Sequence, residues 1–253
     1  MRGGGDLASG VALRLRHAGY NLIITELPQP LAVRRTVSFA EAVYAGRITV
    51  EDVHARLANS AEEAFALASQ GLIAVLVDPP ASILNEGRFS ALVDARLTKQ
   101  PPDTNRSSAP LTIGLGPGFI AGENVHAVVE TQRGHTLGRV YWHGSASADS
   151  GQPEGDPRRV LRAPAAGVLL ARVEIGTHVE TGQVIAEIAG QPIVAPFKGV
   201  LRGLIHPGIQ VPAGMKIGDV DPRDNPAYCF LVSDKALSIG GGVLEALLGS
   251  GPL

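Results

Sequence analysis

Residues Ala163 to Ile188 and Ala195 to Val220 align without a gap at an offset of 32, and nine of the 26 aligned positions are identical. The shared residues are an Ala-Pro pair, a Gly-Val-Leu run, and then Gly, Val, Gly and Ile. Each copy alternates apolar residues between glycines, the pattern of short strands joined by tight turns. A strand pair this short cannot bury a face alone, so the two copies must clasp each other to make a core. An all-β domain is therefore expected over residues 157–222.

Such a clasped pair resembles the biotinyl/lipoyl carrier fold, a barrel-sandwich hybrid of two interlocked half-units. In those carriers the modified lysine sits on the hairpin between the halves. Here that hairpin reads Ala189-Gly190-Gln191-Pro192-Ile193 and holds no lysine. Met215-Lys216 looks like the biotin-type Met-Lys pair, but it lies in the second half, opposite Gln183-Val184. Neither biotin nor lipoate is expected: the fold is kept and the carrier role lost.

At 253 residues the chain has room for two domains with cores of their own. A net charge of −2 leaves no basic footprint for nucleic acid. The apolar runs Leu72 to Val77 and Ala12 to Leu15 are far below a membrane span, and no secretory signal is evident. With Cys229 as the only cysteine, internal disulfides and thiolate metal clusters are excluded. Together these facts point to the cytoplasm. They leave the oligomeric state open.

The amino terminus, Met1-Arg2-Gly3-Gly4-Gly5-Asp6-Leu7-Ala8-Ser9-Gly10, leads into a helical pattern with Leu7, Val11, Leu15 and Ala18 on one face. Asn21 to Thr25 then reads as a buried strand ending in Glu26. Gly3, Gly5 and Ala8 fit G-x-G-x-x-G/A, and Glu26 stands about where a ribose-binding acid belongs. Glycines there let backbone amides approach a phosphate at a helix start, where the dipole favours negative charge. The alternative is an ordinary tight turn. The strand that should precede such a loop is missing, so the start is expected to be truncated by about six residues, one strand length.

Beyond Glu26, Pro28 and Pro30 force an extended path to Arg34 and Arg35, which read either as bidentate anion ligands or as surface ion-pairing residues. Capping boxes at Ser38–Glu41 and Ser60–Glu63 predict helices near 39–46 and 60–70. Leu72 to Asp78, Ala91 to Ala95 and His126 to Glu130 read as strands, and strands alternating with helices argue for a mostly parallel α/β sheet over residues 1–150. Asp78 and Asp94 would end strands, as ligands or as turn residues. Lys99 to Pro110 reads as an exposed loop, and Ser145 to Arg159 as a linker. Leu111 to Phe119 carries Gly114, Gly116 and Gly118 after an apolar run, a second backbone-lined anion pocket. Tyr228 to Lys235 looks strand-like, with Cys229 as a buried apolar residue. Gly240-Gly241-Gly242 reads as a hinge, or as another helix-start anion site, before a helix over 243–248. No protein-only metal site is expected from the seven histidines, and no G-x-S-x-G, H-E-x-x-H or P-loop pattern occurs.

Read together, RGGGDLASG, ELPQPLAVRRTVSFAEAVY, LTIGLGPGFIAGENVHAVVETQRGH, KIGDVDPR and SDKALSIGGGVLEALL resemble the YqeB-type accessory proteins of the selenium-dependent molybdenum hydroxylase system. The resemblance runs from Arg2 to Leu248. It implies a Rossmann-like first domain, similar in its opening to molybdenum-cofactor chaperones, with residues 223–253 packing back on it. It also implies a role in maturing molybdenum hydroxylases. The site expected on that basis is Gly3, Gly4, Gly5, Asp6, Ser9 and Gly10 around a nucleotide or molybdopterin dinucleotide. Glu26 would receive a ribose hydroxyl, Arg34 and Arg35 would clamp phosphate, and Gly114, Gly116 and Gly118 would close the pocket. The expected partners are the hydroxylase apoenzyme or its maturation machinery and a small anionic ligand. An NAD(P)-dependent oxidoreductase and a non-catalytic scaffold are the alternatives.

Overall fold

The computed structural model describes residues 1–97, 102–148 and 155–249. Residues 98–101, which include the start of the expected loop, and 149–154, in the expected linker, lie outside the described residues. The chain is a mixed α/β protein that divides into two compact units. One comprises Met1–Pro30, Phe39–Ser150 and Val232–Leu253; the other comprises Leu31–Ser38 and Gly151–Leu231.

The first unit opens with α1 (Asp6–His17), β1 (Ile23–Glu26), α2 (Ala42–Ala45), the hairpin β2 (Arg47–Val50) and β3 (Val53–Ala58), α3 (Ala61–Ser69) and β4 (Ile73–Val77). It continues through β5 (Ala91–Asp94), β6 (Leu111–Leu115), β7 (Ile120–Ala121), β8 (Ala127–Val129), β9 (Val140–Tyr141) and β10 (Gly144–Ser145), and α4 (Asp234–Gly249) completes it. Strands run β2-β3-β4-β1 on one side and β5-β6-β8-β9 on the other. Between β1 and β5 stand Met1–Gly3, where Arg2 bridges Thr25 and Asp94 in parallel fashion. Only the edge strands β2 and β9 of this sheet are antiparallel. Among the inner strands β4 (IAVLV) and β8 (AVV) are continuous apolar runs, as in a parallel sheet covered on both faces, whereas β3 (VHARLA) alternates and exposes His54 and Arg56. β6 is buried along its whole length.

Local chemistry explains which expected helices form. Ser60 Oγ accepts from Glu63 N at 3.1 Å, and Glu63 Oε2 accepts from Asn59 N at 2.9 Å, so α3 starts where its capping box places it. The Ser38–Glu41 pattern does not cap. Ser38 Oγ donates to Arg34 O instead, and the expected helix shrinks to a 3₁₀ turn over Phe39–Glu41 followed by the one-turn α2.

The glycine triplet is neither hinge nor anion site: Gly240, Gly241 and Gly242 lie inside α4. A Cβ on Gly240 would stand 2.7 Å from Gly10 O, and one on Gly10 would stand 2.5 Å from Ala236 Cβ. A Cβ on Gly242 would collide with Gly138 O. Glycine on both helices is thus the condition for α1 and α4 to touch backbone to backbone. Gly241 faces open space. Gly240→Ala is expected to cost about 1–3 kcal/mol by overpacking. Gly241→Ala is expected to be neutral or to stabilise by up to about 1 kcal/mol through helix propensity. Urea denaturation of the two variants separates close packing from backbone freedom, since a hinge would make both substitutions behave alike.

The second unit contains β11 (Val160–Arg162), β12 (Gly167–Ala171), β13 (His178–Val179), β14 (Val184–Ile188), β15 (Gln191–Val194), β16 (Gly199–Leu204), β17 (Gln210–Val211) and β18 (Lys216–Asp221). They form two open four-stranded sheets, β11-β18-β16-β13 and β15-β14-β12-β17, and neither closes into a barrel. The 32-residue offset maps one sheet onto the other strand for strand. Each half gives its shortest strand to the other: His178 pairs with Val200, and Gln210 with Val168. Turn hydrogen bonds repeat with the same offset. Gly176 N donates to Leu201 O at 2.8 Å and Gly208 N to Leu169 O at 2.9 Å. Likewise Gly182 N donates to Ala195 O and Gly214 N to Ala163 O. The core is duplicated too, Leu169 with Leu201, Val179 with Val211, Ile185 with Ile217 and Ile188 with Val220, all fully or almost fully buried.

Leu31–Ser38 packs across the second half. Gly203 admits it, since a Cβ there would lie 2.8 Å from Val33 Cγ1. The strand-like run around Cys229 is instead a 3₁₀ turn over Pro226–Cys229, opened by Asn225 Oδ1 accepting from Ala227 N. Cys229 is buried against Leu201 O, and burial pushes its thiol pKa up.

Candidate functional site

The carboxyl ends of the parallel strands converge on the segment that follows Met1–Gly3. Gly3 has φ +88°, open to glycine and costly for other residues, and carries the chain from the strand into the turn. Gly3 N donates to Thr25 O at 2.9 Å, and Gly4 N donates to Glu26 Oε1 at 2.6 Å. The other Glu26 oxygen accepts from Leu27 N at 2.8 Å. Two of the loop amides expected to face an anion therefore already face the protein's own oxygens.

Gly5 differs. It is the N-cap residue of α1, no side chain caps it, and nothing lies within 4 Å of where its Cβ would be. The helix start is thus polarised and open there. Asp6, in the first turn, sets a carboxylate in the same field.

Several expected site residues turn out to be structural. Ser9 is fully buried, its hydroxyl donating to Gly4 O at 3.1 Å and accepting from Phe39 N at 2.8 Å. Gly10 makes the α1–α4 contact. Gly114 lies within β6, where a Cβ would collide with the Phe119 ring. Asp78 is a turn residue, accepting from Ile83 N at 2.9 Å. Arg34 is buried and donates to the carbonyls of Tyr228 and Leu231 at 3.0 and 2.9 Å, while Arg35 Nε donates to Leu204 O at 3.2 Å. Carbonyls of the second unit thus take Nη2 of Arg34 and Nε of Arg35.

Gly116 and Gly118, at φ +73° and +99°, form the turn that leaves β6 at the same edge. Packing links the turns across the end of β5. A Cβ on Gly3 would meet Arg96 Cγ at 3.3 Å, and one on Gly116 would meet Thr131 Oγ1 at 2.6 Å and Leu97 Cδ2 at 3.5 Å.

Sequence reasoning missed the charge network beneath this edge. Asp94 is fully buried and accepts from Thr104 Oγ1 at 2.6 Å and from Arg96 Nε at 2.9 Å. Buried Arg2 donates to Asp103 at 2.8 and 3.0 Å, to Thr104 Oγ1 at 3.0 Å and to Pro79 O at 3.0 Å. Arg96 also reaches Asp103. The Arg2 hydrogen bond, with Arg96 adding to it against some burial, holds the Asp103 carboxyl well below the usual carboxylate range. Burial disfavours the Arg96 charge, but its bonds to Asp94 and Asp103 outweigh that and raise its pKa. The only local signal was Asp94 at a strand end. Among the described residues no His, Cys, Asp and Glu group is disposed to hold a metal ion, and no helix is long and apolar enough to cross a membrane.

No family model matches the chain. A curated relative covers almost all of it. The uncharacterized protein YqeB of Escherichia coli (strain K12) is 51% identical over 252 residues, 98% of this chain and 47% of that protein. The chain thus spans about half the length of the curated relative it matches. Likenesses to solved structures are faint. An aspartoacylase family protein from Mesorhizobium loti shares 17% identity at a TM-score of 0.24, covering 28% of this chain and 27% of that one. A succinylglutamate desuccinylase/aspartoacylase from Rhodobacter sphaeroides gives 19% at 0.24, covering 32% and 29%. The ectoine utilization protein EutE (DoeB) of Ruegeria pomeroyi gives 20% at 0.23, covering 31% and 27%.

The Asp103 network carries a sign. A carboxylate whose folded pKa is depressed stabilises the fold above its unfolded pKa, about 3.9, and loses that contribution as pH falls through the folded value. Asp103→Asn is therefore expected to be less stable than the parent at pH 7, with the difference closing as pH falls below about 4. Paired urea titrations at pH 7 and pH 3 check this; a difference independent of pH would assign the effect to packing.

Proposed function

We propose that this chain is an accessory factor in the maturation of selenium-dependent molybdenum hydroxylases. On this reading the carboxyl edge of its parallel sheet takes a nucleotide or a molybdopterin-dinucleotide-like anion. One observation carries it. Counting Met1–Gly3 as the first strand and setting aside the β2–β3 hairpin at the edge, the spatial order β4, β1, Met1–Gly3, β5, β6, β8 matches the 3-2-1-4-5-6 order of a doubly wound, Rossmann-like sheet. The chain crosses from Met1–Gly3 to β1 on one side and later resumes at β5 on the other. The strand order therefore reverses at Gly3–Gly5, where such sheets bind ligands.

Each residue then has a role its surroundings support. Gly5 offers room for close approach, and the α1 dipole favours a phosphate there. Each Glu26 oxygen accepts one amide and keeps further lone-pair capacity, enough for a ribose hydroxyl. Gly116 and Gly118 supply main chain from the neighbouring turn. Arg34 and Arg35 have no part in this proposal.

Reciprocal strand exchange in the second unit supports kinship with the barrel-sandwich plan of the biotinyl/lipoyl carriers. Without a lysine on its 189–193 hairpin, that unit serves as a docking module for the apo-hydroxylase or its maturation machinery. A cytoplasmic setting accords with this role.

Gly5→Asn separates binding from folding, because asparagine is among the best N-cap residues and its side chain would enter the space beside Gly5. The parent is expected to bind a nucleotide or pterin dinucleotide in calorimetric titration. Gly5→Asn should weaken that binding at least about tenfold, roughly 1.4 kcal/mol, with no loss of thermal stability. A parent that binds neither, or a variant that binds equally well, removes the proposal. Hydride transfer to or from NAD(P) would make the chain an oxidoreductase instead.

A further inference from the structure

One sheet of the second unit turns an apolar face to solvent. In β12, Val168 and Leu170 alternate with the fully buried Leu169. Residues directly opposite each other in an antiparallel pair point to the same face. The outer face therefore carries Leu170 beside Glu187, Glu187 beside Pro192, and Val168 beside Gln210. The register shift between Val184 and Ala186 brings Val184 to the same face, opposite Val194. The inward pairs, Leu169 with Ile188 and Ala186 with Ile193, are buried. Val168, Leu170, Val184 and Val194 are 38–51% exposed, and Pro192 is exposed with them.

In the duplicate sheet the same face is covered. Val200, the counterpart of Val168, is fully buried. Val33 of the 31–38 segment reaches Gly203, which stands opposite Asp219, and Arg159 pairs with Asp219 at 2.6 Å. Adjoining apolar side chains left exposed on a sheet mark an interaction site. The edges of the bare sheet offer little to an extended peptide. Pro192 has no amide to donate from edge strand β15, and the other edge strand, β17, is two residues long. What the sheet presents is a flat face, and another sheet packed about 10 Å away is the partner that fits one.

Charge selects which sheet. Arg172 Nε and Nη2 donate to the two Glu187 carboxylate oxygens at 3.1 and 3.0 Å, and both side chains stay partly exposed. A patch that sets one cation and one anion side by side among apolar residues is complementary to itself. Turned half a revolution against a copy, it brings each Arg172 toward the partner's Glu187 and lays apolar residues on apolar ones. A patch of a single sign would have selected an oppositely charged protein instead. We infer that this face is a two-fold interface between two copies of the chain. Five apolar side chains make a small interface beside those of permanent dimers, so the association is reversible, with a Kd of about 1–100 µM.

Sedimentation equilibrium between about 1 and 200 µM should show a reversible monomer and dimer. Amide NMR shifts that change with concentration should lie in β12, β14 and β15. Leu170→Glu is expected to weaken the dimer at least about tenfold by placing a charge in the apolar contact. Arg172→Glu and Glu187→Arg should each weaken it at least about threefold by setting like charges against each other, and the double variant should return to within about twofold of the parent. A parent that stays monomeric at about 200 µM overturns the inference and leaves the face to a different protein. So do concentration-dependent shifts confined to other strands, or a double variant that dimerises no better than the single ones. No readout involves a nucleotide, so this inference and the ligand reading above fail separately.

Discussion

Three residues join the two halves of the first unit's sheet. Met1–Gly3 hydrogen-bond to β1 on one edge and to β5 on the other, and β1 and β5 do not pair directly. Everything at the carboxyl edge follows from that short ladder. It sets Gly3 against Ala95 and Arg96, and it aims the start of α1 across the strand ends. It also places Arg2 over Asp103 and Thr104. Had Arg2 been uncharged, Asp103 would lose the partner that most depresses its pKa, and Arg96 would share two carboxylates alone. The arginine and the glycines thus act together, the side chain anchoring below what the backbone presents above.

Periodic features were legible in the sequence, and long-range ones were not. Ile23–Glu26, Ile73–Val77, Ala91–Asp94 and Ala127–Val129 lie in apolar runs that read as strands, and all four are strands. The duplicated half-units were legible because a sequence offset becomes a structural offset when each copy meets the same partner. Glycine was the weak signal. Gly3 and Gly116 need positive φ, Gly5 faces open space, and Gly10, Gly114 and Gly240 exist to let other atoms approach. In sequence these three uses look alike. The contact that explains Gly240 is with Gly10, at the other end of the chain. Arg34 and Arg35 were misleading in the same way, since their acceptors are carbonyls 169 to 197 residues away.

Glu26 shows how a correct position can hide an altered role. An acid was expected at the end of β1, and it is there. Its carboxylate nonetheless rests on the Gly4 amide, one of the donors a phosphate was expected to use. Adding Asp6 places two carboxylates near a helix start whose field favours anions. The open position is thereby confined to Gly5. Any anion bound there meets like charge on two sides, which favours a ligand presenting hydroxyls to Glu26 over one presenting phosphate to it.

The second unit shows how one folding rule yields two different surfaces. Leu169 and Leu201 point inward in both copies and are equally buried, because the clasp is reciprocal and the core positions cannot diverge without breaking both halves. Outward positions carry no such constraint. Leu170 is half-exposed in the first copy, and its counterpart Arg202 is largely enclosed in the second. Arg172, paired with Glu187 at the surface, corresponds to the fully buried Leu204. The difference lies in what covers each sheet. Leu31–Ser38 lies over the second copy, so a glycine at 203 admits Val33 and Leu204 O receives Arg35. Enclosing Arg202 has an electrostatic cost: burial lowers its pKa, neighbouring Arg34 adds to that, and Asp219 and Asp221 offset it only in part. Arg202 lies 3.7 Å from Asp221 and its Nε is buried without a hydrogen-bond partner, so removing Asp221 would leave an uncompensated charge inside the unit. The first copy, free of that obligation, leaves Val168, Leu170 and Val184 exposed.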